Sequence, residues 1–172
     1  PKKYNDFNGS KVIRVPIITR KSGSHMQLFL NYTSFLLSSM IIGIFKLRKR
    51  KYDYIITFGT SPITVALTSL FLSKIKNAKT IVWVLDLWPS ILVDLNIVKN
   101  RHLLNILTKI TNFTYIKHDV VLAQSKSFLD QIIKYNKNTI YFPSWPETIE
   151  KIKLDNNAEN IKLEKFKDYF KI

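Results

Sequence analysis

The chain of 172 residues is 46% hydrophobic and 13% aromatic, enough apolar material for the core of about one domain. It has no cysteine, which excludes a disulfide framework, a zinc–thiolate site and a thiol nucleophile, and its histidines, His25, His102 and His118, are spaced too widely for a metal site. With 27 basic and 12 acidic residues the net charge is +15, which favours an anionic partner, although dispersed lysines are equally what compositional drift produces.

The first element is a short β-rich run, KVIRV at residues 11–15, closed by Pro16. Residues 27–47 then read as one long apolar helix, followed by KLRKRK, where Lys46, Arg48, Lys49, Arg50 and Lys51 gather. Residues 28–45 imitate a membrane span with a basic flank. Asn31, Thr33, Ser34, Ser38 and Ser39 interrupt that run, so a helix packed on a sheet is the expectation. An amphipathic helix resting on a membrane surface is compatible with it.

Strand and helix signals alternate from there on. Strands are expected at residues 52–59, 80–85, 119–124 and 139–142, and helices at 63–75, 101–115 and 126–135. Three of the strands are near-continuous apolar runs, as strands buried on both faces are. The order predicts an α/β fold, a Rossmann-like doubly wound parallel sheet. Residues 149–168 are polar and charged and read as a linker leaving the domain.

In such a sheet, ligands bind outside the carboxyl ends of the strands. The first loop there is FGTSPIT, in which Ser61 and Pro62 suit an N-cap and the first helical position. Its free amides would attract phosphate or sugar oxygens, and plain capping explains the same residues. The second is LDLWPS: Asp86 could orient a sugar hydroxyl or act as a base, and Trp88 could stack on a sugar or fill a core corner. The third is AQSKS, with Gln124 and Ser125 at the strand end and Ser125 or Ser127 as a cap. The fourth, FPSWPE, suits a stiff bend. There is no G-x-G-x-x-G, Walker loop or G-x-S-x-G elbow among only four glycines.

Taken in order, NYTSFLLSS, DYIITFGTSPITVALTSLFLSKIKNAKTIVWVLDLWPS and DVVLAQSKSF…YFPSWPE resemble the N-terminal domain of family 4 glycosyltransferases. The similarity spans residues 12–147 and is greatest to the subgroup acting in O-antigen, capsule and colanic-type polysaccharide synthesis. The resemblance implies a GT-B fold, two Rossmann-like domains facing across a cleft. Residues 1–147 would be the later part of the acceptor-side domain, and 148–172 a linker into a donor-binding domain that this piece lacks. By itself the piece is expected to be inactive.

The resemblance further implies a hexosyl- or related transferase, usually retaining and without a bound metal or cofactor, the nucleotide sugar being a substrate. The acceptor would be a saccharide on a polyprenyl diphosphate, at the cytoplasmic face of the cell membrane. Asp86 would be the catalytic residue, with Thr60, Ser61, Trp88, Gln124 and Ser125 binding substrate. Lys46, Arg48, Lys49, Arg50 and Lys51 would meet the anionic membrane as a peripheral contact. Leu85 stands where the subgroup usually carries Arg, Ile63 replaces a Pro, and Ser90 a Glu. The alternative is a non-catalytic basic α/β module that binds anionic membrane or nucleic acid. Nucleic acid is disfavoured, because the aromatics lie mostly inside apolar runs.

Overall fold

The computed structural model describes residues 4–7, 9–21, 24–94, 98 and 100–144. The chain opens with a hairpin of β1 (Tyr4–Phe7) and β2 (Ser10–Ile13), turned at Gly9, whose φ of 78° suits a residue without a Cβ. The β-rich run expected at residues 11–15 is thus a strand only over 10–13, paired antiparallel with β1 in a two-stranded sheet separate from the alternating one.

Next comes α1 (His25–Leu47), whose first turn is capped by Ser24 Oγ accepting from the Gln27 amide. The alternating unit follows: β3 (Tyr54–Gly59), α2 (Val65–Lys76), β4 (Lys79–Val84), α3 (Ser90–Asp94), α4 (Arg101–Lys117), β5 (Val120–Ala123), α5 (Lys126–Ile132) and β6 (Thr139–Tyr141). Within this alternating unit only the one-turn α3 has no counterpart in the expected elements, as β1 has none before it. The expected linker at 148–172 lies outside the described residues.

Strands β3 to β6 form a parallel sheet whose spatial order is the chain order. Parallel crossovers are right-handed, so an order without reversal puts every crossover helix on one face. The core agrees. Val82, Val84, Val121 and Ala123 share a cluster with Ile63, Ala66, Leu92, Tyr115 and Ile132 from the helical side. On the opposite face Ile81, Trp83, Val120 and Leu122 pack with Tyr54, Leu85, Ile140 and Phe142, a cluster with no helical member among the described residues. Trp83 meets the Phe58 ring at 5.3 Å and the Phe142 ring at 5.2 Å. The result is a Rossmann-like α/β sheet whose described helices cover one side. Apolar side chains on both strand faces explain the continuous hydrophobic runs.

The amino edge of the sheet is locked by short polar bonds. Asp119 Oδ2 accepts from the Thr80 amide at 2.7 Å and from Thr80 Oγ1 at 2.8 Å. Beside it His118, 3% exposed, contacts the Thr114 carbonyl through Nδ1 at 2.7 Å and Ser69 Oγ through Nε2 at 3.0 Å. Burial pushes its imidazole below the ordinary 6.5, outweighing the Thr114 carbonyl and Asp119, which favour the cation.

The unfolded chain therefore takes up this proton more readily than the folded one. The stabilisation is whole above about pH 6.5 and is lost as pH falls toward the depressed folded value. Urea midpoints should drop on acidification through that window, and His118→Gln should flatten the slope. An unchanged slope in the variant would assign the acid sensitivity to other groups.

Candidate functional site

The carboxyl edge begins at Gly59, where a Cβ would lie 2.7 Å from the Trp83 carbonyl oxygen, so β3 can pass β4 this closely only as glycine. The chain then exposes Thr60 and Ser61 before Pro62 and Ile63 turn inward. Ser61 does not cap α2, contrary to the simplest reading of Ser-Pro. The cap position is Thr64, which makes no side-chain cap bond, and the entry turn is closed by Val65 N–H to the Pro62 carbonyl.

Ser61 points instead at the next loop. Its amide and its hydroxyl both donate to Asp86 Oδ2, each at 2.8 Å. Its oxygen accepts from the Trp88 indole N–H at 3.0 Å. A directed chain results: indole to serine hydroxyl to carboxylate. Oδ1 of Asp86 accepts no hydrogen bond from the described residues, and the side chain is half-buried. Both loops carry a cis peptide, Ser61–Pro62 and Trp88–Pro89.

Trp88 is 6% exposed, and its ring belongs to the helix-side core. The stacking surface expected of it is therefore closed to a sugar; it fills the corner and holds Ser61 from behind. Gln124 reaches across from the end of β5 and donates to the Leu85 carbonyl, pinning the residue before Asp86. Ser125 caps α5, its Oγ accepting from the Phe128 amide at 3.2 Å. The structure thus joins Ser61, Asp86 and Trp88 in one network and ties Gln124 to its margin. Thr60 is exposed beside it. Trp145 and the rest of the fourth loop beyond Ser144 lie outside the described residues.

A concavity of ≈ 670 Å³ lies at the other end of the sheet, lined by Tyr54, Lys79, His118, Asp119 and Asn138 among others. Its carboxylate, Asp119, is held through Oδ2 by the Thr80 amide and hydroxyl much as Asp86 is held by Ser61, so what separates the two ends is topology: Asp86 lies at the carboxyl edge, where α/β sheets bind ligands. The carboxyl edge is the better candidate.

A second hollow, ≈ 140 Å³, adjoins Trp88 and Pro89 and is lined in part by Tyr115. The Tyr115 hydroxyl and Thr111 Oγ1 are buried and find no hydrogen-bond partner among the described residues. Burial, with Tyr135 nearby, pushes the phenol well above its ordinary value. The sequence reading missed Tyr115, and only its one-turn spacing from Thr111 on a helix hinted at it.

Lys46, Arg48, Lys49, Arg50 and Lys51 are exposed at the end of α1, just before β3 begins. They sit at the amino edge, away from Asp86 by the length of a strand, about 20 Å. Among the described residues no group of His, Asp and Glu could hold a metal ion. No protein-family model matches the chain, and no curated protein matches it.

Proposed function

We propose that this chain is the acceptor side of a glycosyltransferase, moving a sugar from a nucleotide-sugar donor to a saccharide carried on a polyprenyl diphosphate. The observation that supports this reading is Asp86, just past the carboxyl end of a parallel strand, with one oxygen fixed by Ser61 and the other accepting no hydrogen bond from the described residues. A carboxylate held in that way can orient an acceptor hydroxyl or take its proton as the new bond forms. Thr60, Gln124 and Ser125 flank it as substrate contacts, and Trp88 acts through Ser61. A GT-B partner domain would bring the donor, so no cofactor or metal enters the scheme. The basic run after α1 would hold the enzyme peripherally at the cytoplasmic face of the membrane, where lipid-linked acceptors lie.

The test is transfer of labelled sugar from a panel of nucleotide sugars to polyprenyl-diphosphate-linked acceptors. Turnover is expected once a donor-binding domain is present and is not expected from the 172-residue chain alone. Robust turnover by that chain would overturn the two-domain reading. The non-catalytic alternative, a basic module that only binds anionic membrane, is favoured by the exposure of α1 and predicts no effect of changes at Asp86.

A further inference from the structure

Helix α1 is long and apolar enough over Met26–Leu47 to cross a membrane, yet Gly43 is its one fully buried residue in that stretch, the others being half-buried or exposed. Three of its polar side chains, Asn31, Ser34 and Ser39, are nonetheless committed to contacts with the rest of the protein. Asn31 Nδ2 donates to the Ile18 carbonyl at 2.6 Å, and Ser34 Oγ accepts from the Ile18 amide at 2.9 Å. Ser39 pairs with Thr68 of α2 at 2.9 Å. At Gly43 a Cβ would lie 2.9 Å from the Leu72 methyls, so the two helices nearly touch. Lys76, at the end of α2, donates to the carbonyls of Leu47 and Arg50 and so satisfies the last turn of α1.

Ser39 opposite Thr68 and Gly43 opposite Leu72 mean that α1 and α2 run side by side in the same direction. Because α2 returns from the carboxyl edge to the amino edge, so does α1. What α2 and the segment around Ile18 leave open is a stripe: Met26, Phe29, Leu30, Leu37, Ile41 and Phe45, each 39–66% exposed. At 100° per residue these six positions fall within an arc of about 160°. The stripe runs into the exposed cations Lys46, Arg48, Lys49, Arg50 and Lys51. An apolar face bordered by lysine and arginine matches acyl chains under anionic headgroups, and the charge selects a bilayer over an apolar protein groove.

We propose that α1 lies flat in one leaflet of an anionic bilayer, its Phe29-to-Phe45 stripe inserted and its α2 side facing water. This deepens the membrane contact in the reading above and does not depend on transfer chemistry. A spanning arrangement would drag α2, which lies along α1, and the Asn31, Ser34 and Ser39 contacts into hydrocarbon, where polar groups are costly. Lying flat keeps Lys76 and the Ser39 contact on the wet side and Asn31 at the border, while Ser34, which shares the stripe's angle, is covered by the segment around Ile18. It also sets the strands parallel to the membrane plane, with the Asp86 edge near the Phe29 end of the helix and the cations near the other.

The chain has no cysteine, so single cysteines at Phe29, Leu37, Ile41 and Phe45 can carry spin labels without a background thiol. On phosphatidylcholine–phosphatidylglycerol vesicles, lipid-borne and aqueous relaxation agents should give the four labels similar, shallow depths. A label at Lys126 of α5 should stay aqueous. Depth peaking at Leu37 and falling toward both ends would mean a spanning helix and overturn the proposal.

Independently, Leu37→Lys with Ile41→Lys should weaken vesicle cosedimentation about tenfold or more, with the urea midpoint retained. If this double variant binds as before while reversal of Arg48, Lys49 and Arg50 releases the protein, flat insertion fails and the peripheral contact stands. If the unaltered chain ignores vesicles and self-associates instead, both fail.

Discussion

Asp86→Asn is expected to leave the chain folded while cutting sugar transfer by the complete enzyme about a hundredfold or more, the usual loss for a positioned acid–base or orienting group. Folding should survive because the change is isosteric. The Asn carbonyl oxygen can take the place of Oδ2 and accept from the Ser61 amide and hydroxyl. At the open position, an acceptor oxygen is exchanged for an NH2 donor. A sugar hydroxyl that donated its proton there would meet a donor instead. Transfer rates with a lipid-linked acceptor and urea midpoints, measured on the same preparations, separate the two effects. Equal loss of stability and activity would make Asp86 only a loop tie, and unimpaired transfer would remove it from the reaction.

The elements legible in the sequence were those whose hydrophobic period is set by local burial. The strands now seen as β4 and β5 read clearly because Ile81 to Val84 and Val120 to Ala123 are buried on both faces. Helices α2 and α4 read clearly because they bury one side. The hairpin of β1 and β2 was not seen as a separate sheet, although Asn8-Gly9 is a turn dipeptide, because the run at 11–15 fits a parallel strand equally well. The placement of Asp86 at a strand end was legible from the abrupt close of VWVL.

The partners of that carboxylate were not legible. Whether Ser61 caps its own helix or crosses to Asp86, 25 residues on, depends on the register of two parallel strands, which pairs Gly59 with Val84. No local pattern encodes that register. The role of Trp88 was undetermined for the same reason: packing and stacking both want a large flat ring, and only the position of the surrounding helices decides between them.

Trp88→Ala should accordingly cost about 3–5 kcal/mol of stability, the usual range for removing a large aromatic from a packed core. The ring is 6% exposed and belongs to one cluster with Ile63, Ala66, Leu92 and Tyr115, so its removal opens a hole between β4 and the helical layer. The truncation also strips the donor from Ser61 Oγ, which then holds Asp86 with less restraint. Trp88→Phe separates the two contributions. It keeps one six-membered ring and loses the N–H together with two ring carbons, so it should cost about 0.5–1.5 kcal/mol for one hydrogen bond plus a packing loss smaller than that of Trp88→Ala. Urea unfolding of the two variants measures both, and acceptor titration supplies the contrast. A core tryptophan lowers the midpoint strongly in Trp88→Ala and moderately in Trp88→Phe, with acceptor affinity following the folded fraction. Were Trp88→Ala instead to retain its midpoint and lose only acceptor affinity, the indole would be an open sugar platform, and the hydrogen bond from Trp88 to Ser61 could not be what steadies Asp86.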